Sequence, residues 1–465
     1  MKTRTLLTAG VLLLQGACFD PEPPPQVESN DDTGTDGTGG PSTSETETSS
    51  TPTGDPDPSA TSTSDTDADT DVADTDPPPD DTTDGPPAGC GNGVVEGDEL
   101  CDDGDALDGN GCNTACEPSG ALLWTATDGD IDTDTMGGVT VDASGNIYAA
   151  ALVLREGFDD DAWVTAYDPD GTVLWSNLYD PSAGGYEFAR DIAFNPANGS
   201  LFAVGQDASD LPSVSWLDDD GTLNSATAYP AAGGADGEAV AVAFGGGAGY
   251  VVANATFVGA GQPLGRVLRS TGVANGVMWD VSMPGAIVRG VGVDFLGDAY
   301  VVGTSDRTGF LQRRNRTDGT IAWELGALPN LHGVAVLGDG DVVVVGSRFV
   351  ASEGNNVWVA RFDADDQSEV WSADFGGDEN GDDVGVGIAV DPDDMIAIAG
   401  TFAGSRALVV KLDPQGQTIW NDTFTIDDLG TDAADVAMDA SGAVTVVGTY
   451  YGEFDGDLFV RHYAP

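Results

Sequence analysis

The basic residues of this chain are few, and four of them stand close together. Arg307, Arg313, Arg314 and Arg316 belong to a total of 16 Lys and Arg, against 79 Asp and Glu. A guanidinium group can hold a carboxylate or a phosphate through two parallel hydrogen bonds. We therefore predict a ligand-binding site at these arginines. The alternative is a solvated strand edge that the charges protect from pairing with another chain.

A second group of residues has the chemistry of a calcium site. Asp102, Asp103, Asp105 and Asp108 lie among glycines in a segment without a basic residue. Ca²⁺ takes about six to eight oxygen ligands, which carboxylates on a loop can supply. The alternative is a solvated acidic loop whose Asp-Gly pairs form turns. The segment Asp378–Asp383 offers a weaker version of the same pattern. Ca²⁺ is the one cofactor that the sequence suggests.

The elements that must position these residues repeat along the chain. Each copy has an apolar strand, a turn and a β-branched return strand that usually ends in Gly. The copies are Val139–Ala151, Ile192–Gly205, Val242–Ala253, Val291–Gly303, Val334–Gly346, Ile388–Gly400 and Val436–Gly448. A unit of about 50 residues repeated in this way is typical of a β-propeller, because one unit cannot bury its own faces. We predict an all-β fold, a seven-bladed β-propeller over residues 121–465.

The two ends of the repeat region predict how the ring closes. The last copy is followed by a third strand, Leu458–Tyr463, and no outer strand, whereas Ala121–Ala126 is an outer strand without a hairpin before it. Pairing these two segments would remove both open edges. We therefore predict a shared-blade closure, in which the first strand completes the last blade.

Two further periodic features predict packing between blades. The first strand of each copy has a small residue between two larger ones in nearly every case, which alternation places on one face of the sheet. These residues are Thr140, Ala193, Ala243, Gly292, Ala335, Ala389 and Ala437. A tryptophan recurs at one place on the outer strand, at Trp124, Trp175, Trp279, Trp323, Trp371 and Trp420. We expect both sets to fill the space between neighbouring sheets.

The N-terminal region predicts export and attachment. Residues 1–17 have the basic start and short apolar core of a signal peptide, too short to span a bilayer. Cys18 follows Gly16-Ala17 and resembles the lipobox cysteine of bacterial lipoproteins. That resemblance implies lipidation and, with Phe19 next, a lipid anchor in the outer membrane or at the cell surface. The alternative is ordinary cleavage with Cys18 unmodified. Residues 18–89 are predicted to be a disordered acidic Thr/Ser/Pro/Asp tether, because they contain too few apolar residues to offset the entropy of ordering.

Residues 90–118 are predicted to form a small cysteine-rich module. The spacing of Cys90, Cys101, Cys112 and Cys116, with Asp-Gly and Gly-Asn-Gly between them, resembles the Myxococcus-type cysteine-rich repeat. Four cysteines in an exported chain predict two disulfides with three allowed pairings. A zinc site is the competing interpretation.

The repeats resemble a bacterial seven-bladed propeller repeat with the phrase IAVDxxGNxYVxG. This resemblance implies the fold and says little of the function, since propellers serve many activities. The net charge of −63 opposes contact with nucleic acid. With two histidines in different repeats and no cysteine in the propeller, the sequence favours a monomeric, surface-displayed recognition or scaffold module for a protein or glycan. The alternative is an extracytoplasmic enzyme with its site in the propeller channel, which a set of carboxylates with raised pKa at the channel would favour.

Overall fold

The computed structural model describes residues 91–95, 99–102, 104, 111–112, 116, 118–129, 133–155, 159–179, 187–230, 237–245, 248–256, 263–270, 276–351, 353–377, 381–452 and 455–465. The predicted signal peptide, Cys18, the tether and Cys90 lie outside the described residues. The described secondary structure consists of strands, and none of these residues belongs to a helix long and apolar enough to cross a membrane.

Seven antiparallel sheets form the blades of a ring. The chain enters through β1 (Leu122–Asp128). Blade 1 follows with β2 (Thr135–Val141), β3 (Ile147–Arg155), β4 (Asp159–Tyr167) and β5 (Val173–Tyr179). Blade 2 has β6 (Phe188–Asn195), β7 (Ser200–Gln206), β8 (Pro212–Leu217) and β9 (Leu223–Ala228). Blade 3 has β10 (Gly237–Gly245), β11 (Ala248–Thr256), β12 (Pro263–Ser270) and β13 (Val277–Pro284).

The remaining blades repeat this arrangement from the inner to the outer strand. Blade 4 has β14 (Ala286–Val293), β15 (Ala299–Ser305), β16 (Thr308–Arg314) and β17 (Ile321–Leu328). Blade 5 has β18 (Asn330–Val336), β19 (Val342–Val350), β20 (Gly354–Phe362) and β21 (Glu369–Phe375), with the two-residue β22 (Gly381–Asp382) beside β20. Blade 6 has β23 (Val384–Val390), β24 (Ile396–Phe402), β25 (Arg406–Leu412) and β26 (Thr418–Phe424). Blade 7 has β27 (Gly430–Met438), β28 (Val444–Tyr451) and β29 (Gly456–Tyr463).

The two ends of the chain share blade 7. Strand β1 pairs antiparallel with β29, so that Leu122 lies opposite Tyr463 and Trp124 opposite His462. The sheet order is therefore β1-β29-β28-β27, with four strands and β1 in the outer place. The predicted seven blades and shared-blade closure are confirmed. Because β1 covers the outer edge of β29, the ring closes through a contact between segments at opposite ends of the domain.

The inner strands contact one another in sequence around the ring, and β27 of blade 7 contacts β2 of blade 1. The small residues predicted on these strands pack toward larger residues of the next blade. Ala437 of blade 7 shares a buried cluster with Val139 of blade 1, and Ala193 of blade 2 shares one with Val242 of blade 3. A small face against a large face lets the strands approach closely near the axis.

The recurring tryptophans pack against the next blade. Four of the six also donate a hydrogen bond to it, whereas the indole N–H groups of Trp323 and Trp420 have no hydrogen-bond partner among the described residues. The Trp124 indole N–H donates to the Pro169 carbonyl oxygen at 2.9 Å, and that of Trp371 donates to the Pro414 carbonyl oxygen at 3.0 Å. In both cases the acceptor lies in the turn between the third and fourth strands of the following blade. The prediction that these residues pack between sheets is confirmed.

The described part of the cysteine module joins the ring at its closing point. Cys101 and Cys112 form a disulfide, and Cys116 is also disulfide-bonded. Ser119 N–H donates to the Gly111 carbonyl oxygen at 3.1 Å, and Gly120 N–H donates to that of Ala464 at 3.2 Å. The module therefore connects by backbone hydrogen bonds to the last residues of the chain.

Candidate functional site

Each inner strand carries one extra residue relative to its partner strand. In blade 4, Val288 pairs with Gly303 and Gly290 with Val302, so Arg289 has no partner in the ladder. The same β-bulge occurs at the same place in all seven blades. The extra residues, in blade order, are Gly137, Arg190, Val240, Arg289, His332, Val386 and Ala434. A bulge re-aims the side chain of its extra residue, and all seven of these residues line the central channel.

The bulges explain why the return strands end in glycine. Five of the seven return strands place a glycine beside the bulge, at Gly205, Gly303, Gly346, Gly400 and Gly448. A Cβ at Gly346 would lie 1.8 Å from the Asn330 carbonyl oxygen. The inner strand therefore crosses so close to the return strand that a side chain there would collide with backbone.

The channel encloses a cavity of about 780 Å³ that the inner strands of all seven blades line. Most of the residues that line it have apolar side chains, such as Val139, Ile192 and Val242, but polar atoms make up more of its accessible surface than apolar atoms do. A cavity of this volume is in the range of sites that bind small molecules or one group of a larger ligand. Charged and titratable groups reach it at a few places only, at Arg190, Asp191, Glu238, Arg289, His332 and Asp435.

Arg289 and His332 occupy neighbouring bulges, in blades 4 and 5. Among the described residues Arg289 makes no ion pair. Its side chain is exposed to water in the channel, and its partial burial by the wall lowers its pKa. Burial and the charge of Arg289 together lower the pKa of His332 to about 4, against a hydrogen bond to the Gly385 backbone that acts in the other direction. His332 is therefore neutral at pH 7.

Arg190 of blade 2 is neutralised by its neighbour. Its Nε lies 3.2 Å from Glu238 Oε2 of blade 3, and both side chains are partly open to solvent. This ion pair bridges two inner strands. Because it is solvent-accessible, it contributes little to stability.

Asp191 and Asp435 follow the bulges of blades 2 and 7 and lie in the seams between blades. Asp191 Oδ2 accepts a hydrogen bond from Val242 N–H at 2.8 Å, and Asp435 Oδ2 accepts one from Val139 N–H at 3.0 Å. Each carboxylate thus links its blade to the next. A Cβ at Gly138 of blade 1 would lie 2.4 Å from Asp191 Oδ1. The carboxylate therefore fits in the seam because residue 138 has no side chain.

Both carboxylates hold their protons more tightly than an aspartate in water. Burial raises the pKa of Asp435 to about 6, although the backbone amides of Val139 and Val436 oppose the shift. Burial and the charge of Asp435 raise the pKa of Asp191 well above its ordinary value. Their side chains retain partial exposure to the channel. Loss of water around a carboxylate disfavours its charged form, which is why both pKa values are raised.

The structure disperses the four predicted arginines. Arg307 lies in the turn before β16, at the opposite end of that strand from the other three. Arg313 pairs with Asp294 at 3.0 Å, whereas Arg314 is buried and donates to the Gly319 carbonyl oxygen at 2.8 Å. Arg316 donates to the Leu296 carbonyl oxygen. These residues do not form one pocket, and ligand binding by them stays a prediction.

Arg313 occupies a place that repeats around the ring. In five blades the third-strand residue opposite the outer-strand tryptophan is basic, at Arg269, Arg313, Arg361, Lys411 and His462. Three of these side chains reach the following blade: Arg269 contacts the Arg316 carbonyl oxygen at 2.5 Å, Arg361 the Pro414 oxygen at 2.9 Å and Lys411 the Gly442 oxygen at 2.7 Å. A basic residue at this position therefore helps to connect neighbouring blades. The presence of Arg313 at the same position does not require a bound ligand.

The calcium prediction falls mostly outside the described residues. Asp103, Asp105 and Asp108 lie there, as do Asp378 and Asn380. Asp102 Oδ1 accepts hydrogen bonds from Gly93 N–H at 2.8 Å and Gly104 N–H at 2.9 Å. In the part of the chain that the structure describes, no group of three acidic, His or Cys side chains is arranged to hold a metal ion. Calcium binding stays a prediction.

The second histidine, His462, is a packed residue of blade 7. His462 is 4% exposed, its Nδ1 lies 2.9 Å from Thr445 Oγ1, and its ring stacks on Trp124 at 5.3 Å. It packs in blade 7 and has no place in the channel wall. His462 and His332 could not be distinguished from the sequence, because the bulge that turns His332 toward the axis is not visible in the residue types.

Comparison with known proteins adds the following. No protein-family model and no curated protein matches the chain. Among solved structures, the chain is similar to one described as "Structure of Dos1 propeller", with 10% sequence identity and a TM-score of 0.41 over 74% of this chain and 94% of that one. At this level the similarity carries no argument about function.

Proposed function

We propose that this protein is a surface-displayed lipoprotein whose propeller is a recognition or scaffold module for a protein or glycan ligand. The observation that supports binding is the axial channel, a cavity of about 780 Å³ with seven bulge residues turned into it. Most of the residues that line its wall are apolar and a small number are charged, a composition common in binding sites. The closed ring makes this wall rigid, so a ligand group would enter a preformed space.

The display part of the proposal rests on the sequence. Lipidation of Cys18 would anchor the chain in the outer membrane, and residues 18–89 would act as the tether that carries the propeller away from the lipid. For about 70 residues, random-coil scaling gives a root-mean-square span of roughly 45–50 Å. We propose that the protein acts there as a monomer, with the Myxococcus-type module between tether and ring.

Attachment is tested with Cys18→Ser. We expect the variant to leave the membrane fraction or to accumulate as the precursor. Normal processing and membrane fractionation of the variant would contradict the anchor. Binding is tested by probing peptide and glycan arrays with the purified protein, for which we expect saturable binding to one class of ligand. Absence of saturable binding to either class would contradict a recognition module.

An enzyme with its site in the channel is the second candidate, and one observation favours it. Asp191 and Asp435 line the channel, and the raised pKa of Asp435, about 6, suits a proton donor near neutral pH. Against this, both carboxylates accept backbone hydrogen bonds across the blade seams. Asp435→Asn separates the two functions. If the protein is a recognition module, the variant keeps its array binding. If it is an enzyme, the parent converts the array ligand to a product and the Asp435→Asn variant does not.

A further inference from the structure

We propose that the channel contains a binding site for a small anionic group, a carboxylate or a phosphate, at Arg289 with His332 beside it. The inference deepens the proposed function, since it names the chemistry of the ligand group that would enter the channel. It depends on the channel geometry and makes no use of the tether or the anchor.

Arg289 lacks the partners that other arginines of the sheets have. Arg266 pairs with Asp280 at 2.6 Å and Arg190 with Glu238 at 3.2 Å, whereas Arg314 donates to the Gly319 carbonyl oxygen at 2.8 Å. The Arg289 side chain is exposed in the channel and makes neither kind of contact with a described residue. Since the chain has 79 acidic residues for 16 basic ones, a shortage of carboxylates does not explain this.

The place of Arg289 is set by the fold. The bulge in β14 takes it out of the ladder and turns it toward the axis. Arg289 lies four residues before Val293, where the strand ends. At about 3.3 Å per residue, this places it roughly 13 Å from the turn that follows the strand. A ligand group that reaches it is thus surrounded by channel wall, where a charge-assisted hydrogen bond is stronger than in water.

His332 adds a second polar group on the neighbouring blade. Its interaction with the Gly385 backbone uses one ring N–H, and at pH 7 the ring is neutral because of burial and the nearby Arg289 charge. A neutral imidazole next to an unpaired guanidinium adds no second charge to the site. An anion bound to Arg289 would offset the charge that now disfavours the imidazolium.

The acidic groups of the channel do not satisfy Arg289. Glu238 of the adjacent blade 3 is paired with Arg190. Asp191 and Asp435 belong to blades 2 and 7, on the other side of the ring from blades 4 and 5, and their oxygens accept backbone N–H groups of Val242 and Val139. The basic side of the channel is therefore left for a ligand.

The two histidines make the test direct. The full-length protein is titrated with inorganic phosphate, with D-glucuronate and with neutral D-glucose at constant chloride, and both imidazole rings are followed by NMR between pH 3.5 and 7. We expect one of the two anions to move the His332 signals saturably and to raise its pKa by about one pH unit. His462, 4% exposed and stacked on Trp124, should not respond. The anion that acts distinguishes a phosphate site from a carboxylate site.

Arg289→Gln is the deciding variant and Arg406→Gln its control, since Arg406 is a partly exposed arginine at the start of β25 that does not line the channel. We expect Arg289→Gln to weaken anion binding at least about tenfold and to raise the pKa of His332 without any ligand, because the neighbouring charge is removed. Arg406→Gln should change neither. The proposal is overturned if neither anion moves His332, or if Arg289→Gln binds as well as the parent. An array ligand that binds while His332 ignores both anions would reject this inference alone.

Discussion

Replacing Asp435 with asparagine tests how the blade seams are held. The carboxylate lies between blades 6, 7 and 1 and accepts the Val139 N–H at 3.0 Å. Its pKa in the folded protein is raised from 3.8 to about 6. The folded state therefore binds the proton more tightly than the unfolded state does, and the stabilisation from this linkage is complete below about pH 3.8 and lost as the pH rises through about 6.

The magnitude follows from that difference. At about 1.4 kcal/mol per pH unit, ionisation of Asp435 lowers the free energy of unfolding at pH 7.5 by about 3 kcal/mol relative to a neutral side chain. Asparagine is neutral at every pH and keeps one oxygen for Val139 N–H, but it leaves the Val436 amide without its acceptor, which costs about 1 kcal/mol. We expect Asp435→Asn to be more stable than the parent by about 2 kcal/mol at pH 7.5 and less stable by about 0.5 kcal/mol at pH 4.

The assay is urea unfolding followed by tryptophan fluorescence at several pH values between 4 and 7.5. Asp306→Asn serves as the control, because it removes the same charge from an exposed turn and should change stability by no more than about 0.5 kcal/mol throughout. If Asp435→Asn changes the free energy of unfolding by the same amount at every pH, ionisation of Asp435 does not control the stability of the seam. A loss of stability at pH 7.5 would lead to the same conclusion.

Three further predictions concern the ring and the module. Deleting residues 121–127 should lower the free energy of unfolding by several kcal/mol and expose the edge of β29, measured by urea unfolding; a change no larger than that from trimming an exposed loop of equal length would contradict the closure. Gly346→Ala should destabilise the ring by at least about 2 kcal/mol because its Cβ would meet the Asn330 carbonyl oxygen, whereas Gly326→Ala, with nothing within 4 Å, should be close to neutral. Equal melting temperatures for the two alanine variants would remove the steric explanation. Non-reducing peptide mapping should recover the Cys101–Cys112 link and no alkylatable thiol in the module; a free thiol there would contradict it.

The ring architecture could be predicted from the sequence because it depends on repetition. Seven copies of one hairpin pattern specify seven blades, and the unmatched strand around Trp124 specifies how the last blade is completed. The tryptophans recur at one spacing, so their packing role was also open to prediction. In each case many residues carry the same information.

The channel could not be predicted in the same way. A bulge adds one residue to a strand, and the seven bulge residues range from Gly137 to Arg289 without a common chemical type. The indirect signal was the glycine on the return strand, which marks a close backbone approach but does not say what approaches. Residues such as Arg289 and His332 therefore looked isolated in the sequence.

The four arginines of the predicted ligand site are close in sequence but do not lie together in the structure. Arg313 and Arg314 are neighbours in sequence, but successive side chains of a strand point to opposite faces. One forms an ion pair with Asp294 and the other is buried against Gln312 and Gly319. Nearness along a strand is therefore weak evidence that charged groups act together.

We propose that ligands are recognised in the channel, and a variant that blocks the channel tests this claim. Val386→Trp places a large side chain at a bulge residue that lines the cavity, next to His332 of the adjacent blade. Val370→Trp makes the same change on an outer strand, where Val370 is 51% exposed. Array binding should be lost in Val386→Trp and retained in Val370→Trp, with both variants folded by thermal denaturation. Undiminished binding by a folded Val386→Trp protein would contradict the claim.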